Sequence, residues 1–267
     1  MTTTAENVLV VTGGGAGIGL ACARRMAADH GRIVLLDRNE EALDKAVSGL
    51  KASGIDATGI ACDVTDAEAL SAIADRVEAE HGPVETLVTS AGIISNTETL
   101  MDMDLDRHRQ VWDVNYHGTV YAVRAFARAM QDRRKGAIVT LGSITGMGAF
   151  PLPAYSPGKT AITRLTQILS VELGRFDIRV NCVAPTYVLS DTLKQRIAEG
   201  LRDGEAIRKA GALTTYVLPD DIANAAAFLC SDAARAITGV LLPVDAGWQA
   251  ATIYRSYTGG VPWDETD

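Results

Sequence analysis

Apolar residues alternate along the chain between short continuous runs and longer segments in which they recur every three or four positions. The short runs, rich in Val, Ile and Leu, predict buried strands, and the longer segments predict amphipathic helices. The predicted strands cover 7–12, 32–37, 56–61, 86–89, 136–141, 179–183 and 240–244. The predicted helices cover 17–29, 40–52, 66–80, 104–131, 153–174, 191–210 and 219–230. This alternation indicates an α/β fold, a Rossmann-type doubly wound parallel sheet with helices on both faces, formed by one domain over residues 1–267.

A glycine-rich loop, TGGGAGIG at 12–19, lies between the first predicted strand and the first predicted helix. Gly13 would permit a tight turn, Gly17 would let the backbone approach a pyrophosphate, and Gly19 would let the helix pack closely on the strand. The helix N-terminus, which contains Ile18, would offer amide donors to phosphates. In this context the loop predicts a dinucleotide site.

Two carboxylates follow the next predicted strands. Asp37 ends the second strand about 18–20 residues after the loop, where it can accept hydrogen bonds from an adenosine ribose and so favours NAD over NADP. The adjacent Arg38 could instead receive a 2′-phosphate. Asp63, followed by Val64, is expected either to bind the adenine amino group or to cap a helix. The residues leave both alternatives for Asp63 open.

The candidate catalytic chemistry lies in the second half of the chain. Tyr155 and Lys159 are four residues apart, a spacing that places both side chains on one face of a helix. A lysine ammonium beside the phenol is expected to lower its pKa from about 10 and so make it a base. Ser143, twelve residues earlier, can hold the oxygen of an alcohol during hydride transfer.

With these motifs in this order, the sequence resembles the classical short-chain dehydrogenase/reductase family over nearly its whole length. The resemblance implies that Ser143 holds the substrate oxygen, Tyr155 is the general acid/base and Lys159 lowers the pKa of Tyr155 and binds the nicotinamide ribose. It implies further that Asn115 supports a proton-relay water. Ala91, Gly92, Pro185, Val188 and Ser190 are implied to contact the cofactor. The family likeness also implies a homotetramer that pairs the helices at 104–131 and 153–174.

Three positions depart from the usual family pattern. Ser90 stands in place of an asparagine near the cofactor, and Thr186 stands in place of a glycine after the sixth strand, where its β-branched side chain would narrow the pocket. Ala246 replaces a glycine near the last strand. We expect the change at Ala246 to affect packing more than chemistry.

The leading hypothesis is an NAD-dependent dehydrogenase acting on a secondary alcohol of the sugar, polyol or cyclic type. One alternative is an NADPH-dependent carbonyl reductase, although glycines stand at positions 14 and 15 where a basic residue would be expected. The other is a dinucleotide sensor without turnover, for which a Ser-Tyr-Lys set has no use. Ser143, Thr145, Tyr155 and Tyr187 are the predicted substrate-binding residues, and Ile93, Ile94, Ser95, Asn96, Met147 and 190–216 are expected to complete the pocket.

Composition limits the partners. The formal charge of −8 and the lack of a basic stripe argue against nucleic acid. No apolar run reaches membrane-spanning length, and the histidines lack metal-ligand spacing, so neither a membrane nor a metal partner is expected. Four dispersed cysteines and the absence of a signal-peptide pattern predict a cytoplasmic protein.

The last twenty residues, the C-terminal tail 248–267, are unusually aromatic. They hold Trp248, Tyr254, Tyr257 and Trp263. We expect the tail either to pack on the assembly and reach an active-site mouth, or to cover apolar surface on its own subunit.

Overall fold

One parallel sheet organises the molecule. The structure, a computed structural model, describes residues 7–94 and 97–263, and within them a seven-stranded sheet has the order β3-β2-β1-β4-β5-β6-β7. Every pairing in it is parallel. The strands are β1 Val8–Thr12, β2 Arg32–Asp37, β3 Ala57–Ala61, β4 Val84–Thr89, β5 Gly136–Leu141, β6 Ile178–Pro185 and β7 Leu241–Val244. This is the doubly wound Rossmann-type fold that the alternation of apolar runs predicts.

Helices cover both faces of the sheet. They are α1 Gly17–Met26, α2 Glu40–Ala52, α3 Ala67–His81, α4 Leu105–Trp112, α5 Gly118–Arg133, α6 Tyr155–Gly174, α7 Asp191–Ala198, α8 Gly204–Lys209, α9 Pro219–Cys230 and α10 Trp248–Arg255. Two apolar clusters follow from this arrangement. One packs α3 and α5 on the sheet, with Phe126 and Met130 fully buried, and the other packs α1 and α9 on the opposite face.

The strand sequences explain this burial. All five residues of β1 are buried, as are the four central residues of β2, because both faces of these strands meet helices. The chain order reverses between β1 and β4, which are adjacent in the sheet. In open α/β sheets, ligands bind beyond the carboxyl ends of the strands at such a reversal. The candidate residues follow these ends.

Several predicted helices are wrong in extent. The helix predicted at 104–131 is α4 and α5 joined by a π-helical turn, Asp113–His117, and the helix predicted at 191–210 is interrupted between α7 and α8. A strict 3.6-residue period cannot reveal a π turn, since the apolar stripe continues across it. The tail, for which no element was predicted, begins with α10.

Residues 7–94 and 97–263 include no helix that is both long and apolar enough to cross a bilayer.

Candidate active site

The glycine loop has the conformation that its sequence predicts. Gly13 has φ +66°, and a Cβ there would lie 2.7 Å from the backbone of Ala91. A Cβ at Gly19 would collide with the Gly13 carbonyl, so the close packing of helix and loop requires glycine at both positions. Gly17 has φ +55° and open space where a Cβ would stand, which leaves room for a ligand against the backbone.

Asp37 holds this loop. Its carboxylate accepts hydrogen bonds from the backbone N–H of Gly15 at 3.0 Å and of Asn39 at 3.0 Å. A Cβ at Gly15 would lie 2.9 Å from the Asp37 carboxylate oxygen, so only glycine allows this approach without displacing it. Arg38, by contrast, is exposed at the strand end. The carboxylate, rather than the guanidinium, therefore faces the loop.

The amino terminus of α1 fits a diphosphate. Ala16 at the N-cap has no side chain that could accept a helix-end hydrogen bond, so the first amides, including those of Gly17 and Ile18, have no side-chain cap. Helix N-termini attract anions through these donors and through the helix dipole. The open space at Gly17, the uncapped helix end and the neighbouring Asp37 together form a cradle that suits a dinucleotide.

Asp63 does not act as a helix cap, which was one of its two predicted roles. Its Oδ1 accepts hydrogen bonds from the Thr65 backbone at 2.9 Å and the Thr65 hydroxyl at 2.8 Å. The cap of α3 is instead Asp66, which accepts from the N–H groups of Glu68 and Ala69. Asp63 thus braces the turn after β3 and caps no helix. Val64 is buried beside it against Gly118.

The segment after β4 connects the loop with Asn115. Ala91 donates its N–H to the Thr12 hydroxyl at 3.3 Å. Asn115, buried in the π turn, exchanges two hydrogen bonds with the backbone of Ile93, at 2.8 and 2.9 Å. A Cβ at Gly92 would lie 3.2 Å from the Asn115 side-chain oxygen. The Asn115 amide is therefore committed to this backbone, and the Asn115 carbonyl accepts a hydrogen bond from the Thr119 hydroxyl at 2.7 Å. Ser95 and Asn96, predicted to line the pocket, lie outside the described residues.

Ser143 follows β5 and is 7% exposed. Its Oγ accepts hydrogen bonds from the Thr145 N–H at 3.2 Å and the Thr145 hydroxyl at 3.0 Å, and lies 3.5 Å from the Pro185 carbonyl, to which it can donate. The Ser143 hydroxyl lies close enough to the Tyr155 phenol to lower its pKa. These contacts bring together residues from the ends of β5, β6 and α6.

Tyr155 and Lys159 lie on one face of α6, as their spacing predicts. The Lys159 Nζ is 5.4 Å from the centre of the Tyr155 ring and donates a hydrogen bond to the Leu141 carbonyl at 2.8 Å. Pro157 falls in the first turn of α6, where its missing N–H leaves no helix hydrogen bond unmade. The predicted adjacency of phenol and ammonium is thus present.

The expected effect of that adjacency on the Tyr155 pKa is wrong for this structure. Burial raises the pKa of Tyr155 to about 12, and the neighbouring Ser143 hydroxyl lowers it by less than burial raises it. Burial also lowers the pKa of Lys159 to about 8, with the neighbouring Cys182 acting in the opposite direction. Loss of water penalises the charged forms of both side chains here, and the neighbouring groups offset this desolvation only in part.

The loop after β6 places the remaining predicted residues. Val188 pairs with Val217 in a short parallel bridge, and Ser190 caps α7 by accepting the Leu193 N–H at 3.4 Å. Tyr187 is 43% exposed. The Ser190 hydroxyl is therefore engaged in a cap, whereas Tyr187 remains accessible.

Sequence reasoning missed the residues that contact Tyr187. The rings of Tyr187 and Trp248 lie 5.5 Å apart, and those of Trp248 and Phe150 lie 5.7 Å apart. Gln249, next to Trp248, donates its side-chain amide to the Ile144 carbonyl at 3.5 Å. The start of the tail thus packs on its own subunit, and its packing on an assembly stays a prediction. The available signal was the aromatic density of the tail, which does not name the contacting residue.

Comparison with known proteins agrees with this geometry. A family profile described as enoyl-(acyl carrier protein) reductase matches residues 13–249. Galactitol 2-dehydrogenase (L-tagatose-forming) of Cereibacter sphaeroides is 42% identical over 246 residues, 89% of this chain and 93% of that protein. Cis-4-hydroxycyclohexanecarboxylate dehydrogenase of Sinomonas cyclohexanicum is 34% identical, with 92% and 98% covered.

A solved structure shows the same arrangement of elements. The structure of NAD+-bound xylitol dehydrogenase superposes with a TM-score of 0.86 at 30% identity, covering 92% of this chain and 100% of that one. The matched profile and relatives span the glycine loop, Ser143, Tyr155 and Lys159. The chain therefore belongs to the short-chain dehydrogenase/reductase family, and it is an alcohol oxidoreductase that works with a nicotinamide cofactor.

Proposed function

We propose that this enzyme is an NAD-dependent dehydrogenase that oxidises a secondary alcohol, with Tyr155 as its general acid/base. The observation that carries the proposal is the meeting of Ser143, Tyr155 and Lys159 beyond the carboxyl ends of β5 and β6. The hydroxyls of a neighbouring serine and tyrosine can both form hydrogen bonds with one oxygen atom of a substrate. The uncapped helix end and glycine cradle on the other side of the reversal supply a place for the cofactor.

In the proposed mechanism, Ser143 donates a hydrogen bond to the substrate oxygen, and the Thr145 contacts to the Ser143 Oγ fix its orientation. Tyr155 removes the hydroxyl proton as hydride leaves the carbinol carbon. The nicotinamide ring, when bound, supplies the hydride acceptor. Lys159 is charged below its pKa of about 8 and would bind the nicotinamide ribose, while Asn115 holds the backbone of Ile93 beside the site.

Because the pKa of Tyr155 is raised, we expect the rates of oxidation and reduction to depend on pH in opposite ways. At neutral pH the phenol is protonated, which suits it to donate a proton to a ketone. Oxidation needs the phenolate. We therefore expect the oxidation rate to rise toward alkaline pH and the reduction rate to be higher near neutral pH.

The choice of NAD rests on Asp37. Its carboxylate lies against Gly15 and would accept the two ribose hydroxyls of an adenosine, while repelling a 2′-phosphate. Gly13, Gly17, Ile18 and Gly19 would hold the pyrophosphate. Asp63, Val64, Ala91, Gly92, Pro185, Val188 and Ser190 are the further proposed contacts, and Tyr155 and Lys159 complete the cofactor set. The relative with bound NAD+ is consistent with this choice.

Assembly and location complete the proposal. A groove of about 270 Å³ on α5 and α6 is lined by apolar side chains that include Val120, Leu165 and Leu169. Val171 on the same helix pair is 77% exposed. We propose that these faces pair between copies in a homotetramer in the cytoplasm, where the buried Cys22, Cys62 and Cys182 stay reduced. Light scattering that finds only monomer at assay concentration would contradict the tetramer.

The experiment that tests this function is a substrate screen of the full chain with NAD and NADP. Sugars, polyols, cyclic alcohols and aliphatic secondary alcohols would each be supplied, with reduced cofactor read by absorbance. The proposal expects at least one secondary alcohol to be oxidised with higher kcat/KM with NAD. Carbonyl reduction with NADPH alone would favour a reductase, and NADH binding without turnover of any alcohol or ketone would favour a sensor.

A further inference from the structure

Three aromatic side chains meet at the carboxyl ends of three adjacent strands. Phe150 follows β5, Tyr187 follows β6 and Trp248 follows β7, and these strands are neighbours in the sheet. The Trp248 ring meets Phe150 edge-on, at 67° between planes, and lies tilted at 32° on Tyr187. We call these three residues the aromatic wall.

Short chain segments and hydrogen bonds connect the aromatic wall with Ser143. Phe150 lies in the segment between Ser143 and Tyr155, and Tyr187 lies two residues after Pro185, whose carbonyl is 3.5 Å from the Ser143 Oγ. Gln249 ties the start of α10 to the residue after Ser143. Every member of the wall is therefore linked within a few residues to the hydroxyl that is proposed to hold the substrate oxygen.

Trp248 is held in place by a rigid turn. The carboxylate of Asp245, itself 8% exposed, accepts the N–H of Gly247 at 2.9 Å and of Gln249 at 3.0 Å. Gly247 has φ +76°, a conformation that turns the chain sharply before α10. The backbone is therefore anchored on both sides of Trp248, and its ring contacts both partners.

The wall is only partly covered by protein. Tyr187 is 43% exposed and Met147, in the segment before Phe150, is 42% exposed, while Phe150 and Trp248 are partly buried. A surface of this kind beside a reacting hydroxyl is available to the part of a substrate that carries no reacting atom.

We propose that the aromatic wall binds the C–H face of a ring, and that Trp248 thereby makes the enzyme prefer a cyclic secondary alcohol to a linear polyol. The inference rests on the proposed dehydrogenase function. The faces of aromatic rings pack closely against the C–H groups of an aliphatic ring and bury apolar area. A cyclohexane ring offers a continuous C–H surface, whereas every carbon of a polyol bears a hydroxyl, and the ring faces of the wall offer these hydroxyls no strong hydrogen-bond partner.

The test compares two alcohols that differ in reach. Cyclohexanol carries a six-membered ring that the proposal places on the wall with the hydroxyl at Ser143, whereas propan-2-ol carries only two methyl groups. For Trp248→Ala we expect kcat/KM for cyclohexanol to fall about tenfold or more, mostly through KM, while that for propan-2-ol changes less than about twofold. Trp248→Phe should restore most of the loss because it keeps an aromatic face.

A matched control comes from the same helix. Tyr254 is 50% exposed on α10 and stacks on Trp263 at 5.5 Å. Tyr254→Ala removes an aromatic ring from α10 without touching the wall, so it should leave both alcohols unaffected. Equal losses for cyclohexanol and propan-2-ol in Trp248→Ala, or no loss for either, would overturn the proposal, as would a preference of the unaltered enzyme for galactitol over cyclohexanol.

A binding measurement separates failure of the wall from failure of the proposed function. If the unaltered enzyme oxidises neither alcohol, cyclohexanol is titrated against tryptophan fluorescence in the presence of NADH. Saturable quenching that is lost in Trp248→Phe supports the wall without turnover, and quenching that is absent or unchanged in that variant refutes it. Thermal unfolding of each variant identifies any loss that is due to misfolding.

Discussion

The two halves of the site differ in whether backbone or side chains form them. Around β1 and β2, the proposed cofactor cradle consists of backbone: glycines at 13, 17 and 19, free helix amides, and one carboxylate that braces the loop. Beyond β5, β6 and β7, the proposed substrate side consists of side chains from segments far apart in sequence, with Ser143, Tyr155, Tyr187 and Trp248 brought together.

We expect the two halves to differ in how much sequence variation they tolerate. A dinucleotide is the same in every reaction, so a backbone cradle with strict steric limits is sufficient. Substrates differ, and a pocket of side chains on separate loops can change one residue at a time over a fixed scaffold. Substitutions in the two halves should therefore affect different measured quantities, and the following predictions test that separation.

The largest expected effect belongs to Tyr155→Phe. Removing the phenol oxygen eliminates proton transfer, and we expect kcat to fall about 10³-fold. The NADH dissociation constant should change less than about threefold, because the cradle is elsewhere. Steady-state kinetics and a fluorescence titration of NADH measure the two quantities. A variant with near-normal kcat would exclude Tyr155 as the acid/base.

Gly13→Ala should weaken cofactor binding and affect kcat much less, which is the opposite of Tyr155→Phe. The new Cβ would stand 2.7 Å from the backbone of Ala91 at a position with φ +66°, so the loop must move. We expect NADH binding to weaken about 100-fold, with kcat at saturating cofactor much less affected. Gly49→Ala is the matched control, since Gly49 is exposed in α2 with nothing within 4 Å of its Cβ position. That variant should bind NADH normally and gain up to about 1 kcal/mol of stability.

Lys159→Met tests the cost of burying a charge in the substrate half. The folded pKa of Lys159, about 8, lies below its ordinary value of 10.5, so below pH 8 the folded protein must hold a proton that burial disfavours. Stability therefore rises as the pH increases from about 8 to 10.5. Methionine removes this cost.

We expect the stability of Lys159→Met, relative to the unaltered protein, to be on the order of 2 kcal/mol greater at pH 7 than at pH 10. Denaturant unfolding at both pH values measures this difference. Lys159→Arg, which keeps the charge, is the control and should not show the gain at pH 7. A stability difference for Lys159→Met that is independent of pH would mean that the ammonium is not penalised by burial.

Asp37→Ala should produce a smaller change that is confined to the cofactor half. Loss of the carboxylate removes both the brace on Gly15 and the repulsion of a 2′-phosphate, so the ratio of kcat/KM for NAD to that for NADP should fall about tenfold. Glu41→Ala, in the first turn of α2, is an exposed acidic control and should leave the ratio unchanged. Equal use of the two cofactors by the unaltered enzyme would refute the proposed preference for NAD.

Much of this protein was determined by the sequence alone. The alternation of apolar runs predicted all seven strands of the sheet, and central strands such as β1 and β2 are continuously apolar because both of their faces are buried. The glycines of the loop and the spacing of Tyr155 and Lys159 predicted local geometry, because φ limits and helical periodicity act over a few residues.

Only the tertiary structure decided what depends on distant contacts. Periodicity could not predict the π turn that holds Asn115, or the sign of the Tyr155 pKa shift, which burial by the whole fold sets. Nor could it predict that Trp248 would meet Phe150 and Tyr187, residues separated from it by 98 and 61 positions in the chain. Desolvation and ring packing depend on which segments meet in space. The order of the strands in the sheet brings these distant segments together.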